Sequence, residues 1–283
     1  MVDYAVKTIS KAGLSCWIYS INKPNMSTIA MNKPAMNKPA INKPPINKPR
    51  DEKQSADRLN LPYFIALICV FLPFLSVHIT FAISVLSDNL RACIPYWQQC
   101  HSISATGRQY PEFFFFKGLL IPTAIFMAAY WLMLYQWLSA LSEGKIKPTL
   151  ITTMGLCAAF ALIVYTATLG AVGEPYALAR RIGVIFYFSL TAFAHLLLLR
   201  HLENLDTATL NINTYQSRLK SICLVLVSTA IMSALLGFIW EEGWDNWENA
   251  YEWWFSVFMV AMFYQVAKMW QLTGFKIALT VSN

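Results

Sequence analysis

The chain has 283 residues, of which 57% are hydrophobic and 13% are charged. Globular proteins usually carry about 25% charged residues, so this composition excludes an ordinary water-soluble domain. The net charge of +7 is concentrated at one end, because residues 1–61 carry ten Lys or Arg against four Asp or Glu, whereas residues 62–283 carry twelve against eleven.

The N-terminal arm, residues 1–60, contains a repeated Asn-Lys-Pro pentapeptide. From Met31 onward it reads MNKPA, MNKPA, INKPP and INKP. Proline at every fifth position blocks helix and sheet alike, and few apolar residues anchor the segment. We therefore predict a disordered basic arm on the cytoplasmic side, where anionic lipids attract Lys and Arg. The repeat is either a flexible tether or an expansion without a role. Nucleic-acid binding is not expected, because no folded scaffold accompanies the basic residues.

Six long apolar stretches follow the arm. A helix needs about 20 mostly apolar residues to cross a hydrocarbon core, and in lipid it must satisfy its own backbone amides. The sequence thus predicts an all-α, polytopic membrane protein, with a six-helix transmembrane bundle over residues 61–273 and a short cytoplasmic tail at 274–283. The predicted spans are Leu61–Leu86, Phe113–Leu138, Leu150–Val172, Ile182–Leu199, Ile222–Trp240 and Trp253–Leu272.

The distribution of Lys and Arg indicates the orientation, because cytoplasmic loops carry an excess of both. With the N-terminus inside and the arm left out, seven of these residues lie on the inner side and five on the outer side. Both termini are therefore predicted to be cytoplasmic, in a plasma or inner membrane or an endomembrane. The predicted outer loops are residues 87–112, 173–181 and 241–252.

The first outer loop contains two cysteines, Cys93 and Cys100, within the segment CIPYWQQC. They can close an eight-residue ring if the loop faces an oxidising compartment, or they can remain free thiols. A metal site is not expected, because His101 alone leaves the set short of the four ligands of structural zinc. No cofactor is expected either.

The end of this loop leads into the second span and is the most unusual part of the chain. Gly107 permits a tight turn, and Pro111 suits the first turn of a helix. Glu112 then lies at the positive end of that helix, where a carboxylate is favoured, and Arg108 and Lys117 flank it. The segment is either a capped helix start with a snorkelling lysine, or a carboxylate with two cations that holds a phospholipid headgroup.

Charged residues at the ends of spans are costly and often functional. Glu174, Arg180, Arg181 and Glu252 all lie on the predicted outer side, as do the charges of the first outer loop. One shared site near the outer leaflet would explain this placement, and so would separate interfacial residues. Trp253 belongs to an aromatic belt, which either only anchors the last span at the level of the headgroups or also forms one wall of a lipid-headgroup site.

Two histidines, His78 and His195, lie within predicted spans and are interpreted as packed, hydrogen-bonded residues. The sequence contains no Ser-His-Asp order, no HExxH, no Walker lysine and no glycine-rich dinucleotide loop. No span carries a polar stripe wide enough to line a channel, and no inverted repeat indicates a transporter.

The segment SISATGRQYPE resembles a signature that precedes the second span in one six-span family. That family contains the damage-regulated autophagy modulators (DRAM) and the GPI-anchor lipid-remodelling factors. Arg181, which opens the fourth span, and the Glu-Trp pair that enters the sixth also agree with its pattern. The resemblance implies a six-helix membrane domain with cytoplasmic termini and a role that involves lipids. By position it implies the site residues Ser102, Ser104, Gly107, Pro111, Glu112, Glu252 and Trp253.

The leading hypothesis is an integral membrane protein that binds or organises membrane lipids, or remodels lipid anchors, at its outer face. Arg108 and Arg181 would hold a headgroup phosphate, and Glu112 would fix the loop or pair with an arginine. An alternative is a membrane-embedded lipid acyltransferase or hydrolase with Glu112 or Glu252 as general base near Ser104; a small-molecule transporter is third. The candidate site comprises Ser102, Ser104, Gly107, Arg108, Pro111, Glu112, Lys117, Arg180, Arg181, Glu252 and Trp253.

Overall fold

The structure is a computed structural model that describes residues 18–20, 60–98, 100–145, 147–205, 210–239 and 241–278. The Asn-Lys-Pro repeat lies outside these residues, as does the predicted disorder of the arm. Most of the described residues belong to six long α-helices. These are α1 (Leu61–Leu86), α2 (Glu112–Leu141), α3 (Thr149–Thr168), α4 (Glu174–Glu203), α5 (Asn213–Ile239) and α6 (Glu241–Leu272). A short 3₁₀ helix, Ile103–Gly107, lies between α1 and α2.

The helical fold and its membrane character agree with the sequence. Helices α1 to α5 are long and apolar enough to cross a membrane. Helix α6 is long enough but is not among them. Its apolar part is rich in tryptophan and tyrosine and includes Gln265 and Lys268, which lower its hydropathy. The described residues thus establish five membrane-capable helices rather than the predicted six.

Two segments that the sequence predicts as outer loops are helical instead. In residues 173–181, α4 begins already at Glu174, because Gly173 turns the chain at φ 120° and Pro175 occupies the first turn. Residues 241–252 form the first part of α6. Hydropathy marks where a helix is apolar, whereas caps and turn residues mark where it begins. A polar helical extension beyond the apolar stretch is therefore read as a loop.

Helix α6 lies antiparallel to α1 and covers most of its length. Near the C-terminal end of α1, the rings of Phe81 and Trp253 meet edge to face with centroids 5.8 Å apart. At its N-terminal end, Lys268 Nζ lies 3.5 Å from the hydroxyl oxygen of Tyr63. Helices α1 to α4 contact one another in sequence order, and α6 also packs against α5. Helix α4 has only slight contact with α5 and α6.

The centre of the bundle is an aromatic cluster around Tyr130, which is fully buried. The rings of Trp131, His195, Phe263 and Trp270 surround it at centroid distances between 4.8 and 6.1 Å. His195 Nδ1 lies 2.8 Å from a backbone carbonyl oxygen of its own helix. Because a carbonyl only accepts, Nδ1 carries the proton and Nε2 accepts a hydrogen bond of 3.1 Å from the Tyr130 hydroxyl. His195 is therefore a packed and hydrogen-bonded residue.

A small two-stranded sheet joins the two ends of the described chain. Strand β1 (Ile18–Ser20) pairs antiparallel with β2 (Lys276–Ala278), with Ile18 opposite Ala278. This pairing departs from the prediction that the whole arm avoids regular structure. The three residues of β1 include a β-branched and an aromatic residue, which favour strands, and they precede the first proline of the arm.

We expect Gly155→Ala to destabilise the bundle, because a Cβ at this position would overlap the ring of the buried Trp131. Overpacking of this kind costs about 1–3 kcal/mol and should lower the melting temperature in detergent. Gly118→Ala is the matched control, since a Cβ there meets nothing within 4 Å, and alanine favours the helix. Equal melting temperatures for the two variants would contradict this packing.

Candidate functional site

The loop between α1 and α2 is folded onto the C-terminal end of α1. Ser102 Oγ accepts a hydrogen bond of 3.2 Å from the backbone N–H of Ala105 and so begins the 3₁₀ helix. The buried hydroxyls of Thr80 and Thr106 lie 3.1 Å apart and join the loop to α1. Gly107 does not provide the predicted tight turn, since its φ is not positive. A glycine fits there because the ring of Phe116 fills the space of a Cβ.

Glu112 is the first residue of α2 and is fully buried beneath this loop. The hydroxyl of Ser84 donates a hydrogen bond of 2.9 Å to Oε1. Asn89 Nδ2 lies 3.2 and 3.0 Å from the two carboxylate oxygens and also donates to the carbonyl oxygen of Tyr110. The carboxylate therefore connects the end of α1, the loop and the start of α2, where Pro111 is the N-cap.

The ring of residues 93–100, which a disulfide closes, is attached to both α1 and α6. Cys93 and Cys100 are joined by a disulfide. Within the ring, the Tyr96 hydroxyl lies 2.9 Å from His78 Nε2. It donates this bond, because His78 Nδ1 faces a backbone carbonyl at 2.7 Å and must carry the proton. The indole N–H of Trp254 donates to the carbonyl oxygen of Tyr96 at 3.2 Å.

His101 lies next to the disulfide, and its ring nitrogen is close to both sulfur atoms. Since the two sulfurs are bonded to each other, neither is a thiolate that could bind a metal ion. The backbone of His101 has a structural role instead, because its carbonyl oxygen accepts a hydrogen bond of 2.8 Å from the indole N–H of Trp253.

Glu252 connects α6 to the same loop from the other side. Its Oε2 accepts a hydrogen bond of 3.1 Å from the backbone N–H of Ile103. Glu252 precedes the apolar part of α6, and its burial raises the pKa of the carboxyl from 4.5 to about 7. The hydrogen bond from Ile103 and the charge of Arg108 lower this pKa, while Glu248 raises it. Glu252 is thus a carboxyl group that changes its charge near neutral pH.

Arg108 is exposed beside this group, and its Nη2 donates a hydrogen bond of 2.7 Å to Ser104 Oγ. Ser104 Oγ in turn lies 3.0 Å from Ser102 Oγ. Tyr165, on α3, is buried and lines the same cavity as Glu252. These side chains form a polar group at the end of the bundle where the α1–α2 loop lies, and we call this group the polar mouth (Ser102, Ser104, Arg108, Tyr165 and Glu252).

Two of the other predicted cations, Arg180 and Lys117, donate hydrogen bonds to carbonyl groups at the end of α3. Arg180 Nη1 donates hydrogen bonds of 3.0 and 2.8 Å to the carbonyl oxygens of Thr168 and Ala171. Lys117 Nζ donates a bond of 2.8 Å to the carbonyl oxygen of Ala167. The last carbonyls of a helix lack intrahelical partners, so these residues cap α3. Arg181 is exposed on α4.

An apolar cavity of about 60 Å³ lies directly beneath the polar mouth. Side chains of α1, α2, α3, α4 and α6 line it. Ile103 and Glu252 lie at the end of the cavity next to the polar mouth. Besides Glu252, the polar residues of the lining are Tyr165, Tyr187 and Ser256. The arrangement places a small number of polar groups above an apolar interior, as in many small-molecule sites.

The structure therefore divides the predicted site. Ser102, Ser104, Arg108 and Glu252 belong to the polar mouth, with Trp253 beside it. Arg181 lies exposed on α4. The remaining predicted residues hold the loop or the ends of helices in place, and these are Gly107, Pro111, Glu112, Lys117 and Arg180. Sequence reasoning missed Ser84 and Asn89, the partners of Glu112, and it missed Tyr165. The only signal in the sequence that could have indicated Tyr165 is its position close to the end of a predicted span.

Comparison of this chain with models of known families, with curated proteins and with solved structures finds no match. The resemblance to the DRAM family therefore rests on the motif residues alone. What the resemblance implies about activity remains a proposal.

We expect Glu112→Gln to destabilise the protein, because a glutamine amide would place donors against the side chain of Asn89, itself a donor here. Leaving a buried donor unsatisfied costs about 1–3 kcal/mol, which should lower the melting temperature in detergent. Glu174→Gln is the matched control, since Glu174 also lies in the first turn of a helix but is exposed. If the two variants melt alike, the buried carboxylate does not hold the loop.

Glu252 should make the stability of the protein depend on pH. Between pH 4.5 and 7 the folded carboxyl keeps a proton that the unfolded chain has released. The free energy of unfolding therefore falls as the pH rises through this window. Melting temperatures measured across it should show this slope in the wild type and in Glu174→Gln, and a flatter one in Glu252→Gln. An unchanged slope in Glu252→Gln would assign the dependence to another group.

Proposed function

We propose that this protein binds or organises membrane lipids through the polar mouth at its outer face. The observation that carries the proposal is the position of the apolar cavity directly beneath that mouth. A lipid has the same division, with a polar headgroup next to apolar chains. Arg108 is exposed and has further N–H groups besides the one that it donates to Ser104. It can therefore bind a headgroup phosphate, for which the guanidinium fork is well suited.

We also propose that α6 crosses the membrane, which makes six crossings with both termini cytoplasmic. Two observations support this. Helix α6 extends along α1 from Phe81 to Tyr63, so it covers a similar depth. The pairing of β1 with β2 brings the chain before α1 together with the chain after α6, which requires an even number of crossings between them. The bias of Lys and Arg then favours the cytoplasm for both ends.

The resemblance to the DRAM family supports the same proposal independently of the cavity. The residues of its motif surround the outer end of α1 and α2, and the Glu-Trp pair of α6 contacts the same loop through Ile103 and His101. Two distant parts of the sequence that share the family's pattern thus meet in one place. We propose membership of this lipid-related family on that basis.

A lipid acyltransferase or hydrolase is the second candidate, and one observation favours it. The carboxyl of Glu252 lines the cavity and has a pKa near neutrality, as an efficient general base requires. The nearby Ser104 hydroxyl is bonded to Arg108 and Ser102. Among the hydrogen bonds of the described residues, none joins this serine to a histidine or a carboxylate that would activate it. We therefore place binding first.

The proposal is tested by mass spectrometry of the lipids that remain with the protein after incubation with a total lipid extract. We expect wild type to retain a phosphate-bearing class and Arg108→Ala to retain it about tenfold less, since 1.4 kcal/mol corresponds to a factor of ten. Arg91→Ala is the matched control, because it removes the same charge from an exposed position of the same loop.

The outcomes separate the candidate functions. Selective retention by wild type and Arg91→Ala, without new lipid species, supports binding. New lipid species that disappear in Glu252→Gln would make the protein an enzyme. Equal retention by all variants would contradict the assignment of the polar mouth as the headgroup site.

A further inference from the structure

The cavity beneath the polar mouth extends well into the outer half of the bundle. Along α6 its lining runs from Glu252 to Val260, a span of about 12 Å at 1.5 Å per residue. Leu162 on α3 and Val184 on α4 line the same cavity. The cavity is therefore elongated along α6 and lined mainly by apolar side chains.

One side of this cavity lies at the seam between α4 and α6, two helices with only slight backbone contact. The rings of Phe188 and Phe255 meet edge to face across this seam, with centroids 5.3 Å apart. In the second half of α5, Leu235 and Phe238 are 53% and 89% exposed, and α5 has only slight contact with α4. Phe188 lines the cavity, so its contact with Phe255 lies between the cavity and the surface of the bundle at this seam.

We propose that the cavity receives one acyl chain of a phosphate-bearing lipid from the outer leaflet, through the seam between α4 and α6. The phosphate binds Arg108, and the chain lies against Val184, Leu162 and Val260. This inference rests on the proposed function and adds to it the kind of ligand and its path. The route stays within the membrane, so the chain never has to leave an apolar environment.

The chemistry of the lining favours an acyl chain over a soluble ligand. An apolar cavity has no partners for water and gains dispersion contacts when an apolar group fills it. The space has room for several water-sized groups, so a longer chain requires Phe188 and Phe255 to move apart. They are joined by ring contact rather than by a hydrogen bond, and side-chain rotation can separate them.

The cations around the mouth favour a phosphate. Arg108 and Arg181 are exposed on the loop and on α4, with Arg180 half-buried between them. The carboxyl of Glu252 opposes them with less than a full charge near pH 7. Glu248 adds a second carboxylate beside Glu252, so the attraction for a phosphate comes from the exposed guanidinium of Arg108 rather than from the net charge of the region.

The test uses phosphatidylglycerol with a diazirine in the middle of one acyl chain, incorporated into nanodiscs with the full-length protein. After illumination, the modified peptides are identified by mass spectrometry. We expect modification of α3, α4 and α6 residues that line the cavity. Val184→Phe fills the cavity and should reduce this modification at least about fivefold, which corresponds to roughly 1 kcal/mol. Ile185→Phe is the matched control, because it adds the same ring one residue away at a position 56% exposed to lipid.

Val260→Phe fills the cavity from the opposite wall and provides an independent variant if Val184→Phe does not fold. Retention of the cavity cross-links in a folded filling variant would overturn the inference. If both filling variants fail to fold, addition of the lipid to wild type decides. A rise in melting temperature with phosphatidylglycerol supports the inference only when the cross-links lie in the cavity, and cross-links confined to the outer surface of the bundle overturn it.

The same experiment separates this inference from the proposed function. If Arg108→Ala loses phosphatidylglycerol while the filling variants keep it, headgroup binding stands and the chain lies elsewhere. If the filling variants lose the cavity cross-links while Arg108→Ala keeps them, the cavity holds a chain but the phosphate assignment is wrong. If every variant behaves as wild type, both proposals fail.

Discussion

The hydrogen bonds of the buried Glu112 carboxylate are the interaction on which the loop end of the bundle depends. Isolated burial of a carboxylate is very costly, but here Ser84 and Asn89 satisfy both of its oxygens. These bonds fix the loop against the first two helices. The fixed loop then offers the N–H of Ile103 and the carbonyl of His101 to α6. Glu112 thus positions the polar mouth without belonging to it.

The polar mouth and the cavity form a single gradient of polarity that begins at the α1–α2 loop. Exposed Arg108 lies at one end, half-buried Glu252 follows, and Leu162 and Val184 line the interior. Such a gradient is suited to an amphiphile and unsuited to an ion or a sugar, which would need polar partners throughout. At the centre of the bundle, by contrast, the buried ring of Tyr130 packs directly against Trp131 and Phe263.

Hydropathy was sufficient to predict the helical bundle and the approximate positions of its helices. It failed at the ends of helices, as at Glu174, because local turn chemistry rather than apolarity decides where they begin. The candidate site was predicted only in part. The sequence showed that charged residues gather on one side, but not that Arg180 caps α3 or that Asn89 binds Glu112. Those pairings depend on how distant helices pack, and a single sequence carries no direct record of that packing.

The pairing of β1 with β2 brings chain that precedes α1 next to chain that follows α6. Ser20 lies opposite Lys276, and β2 also contacts α1. Segments that lie this close in space can be joined by a short linker without disturbing a fold. A circularly permuted chain that connects β2 to β1 should therefore keep the packing of α6 against α1.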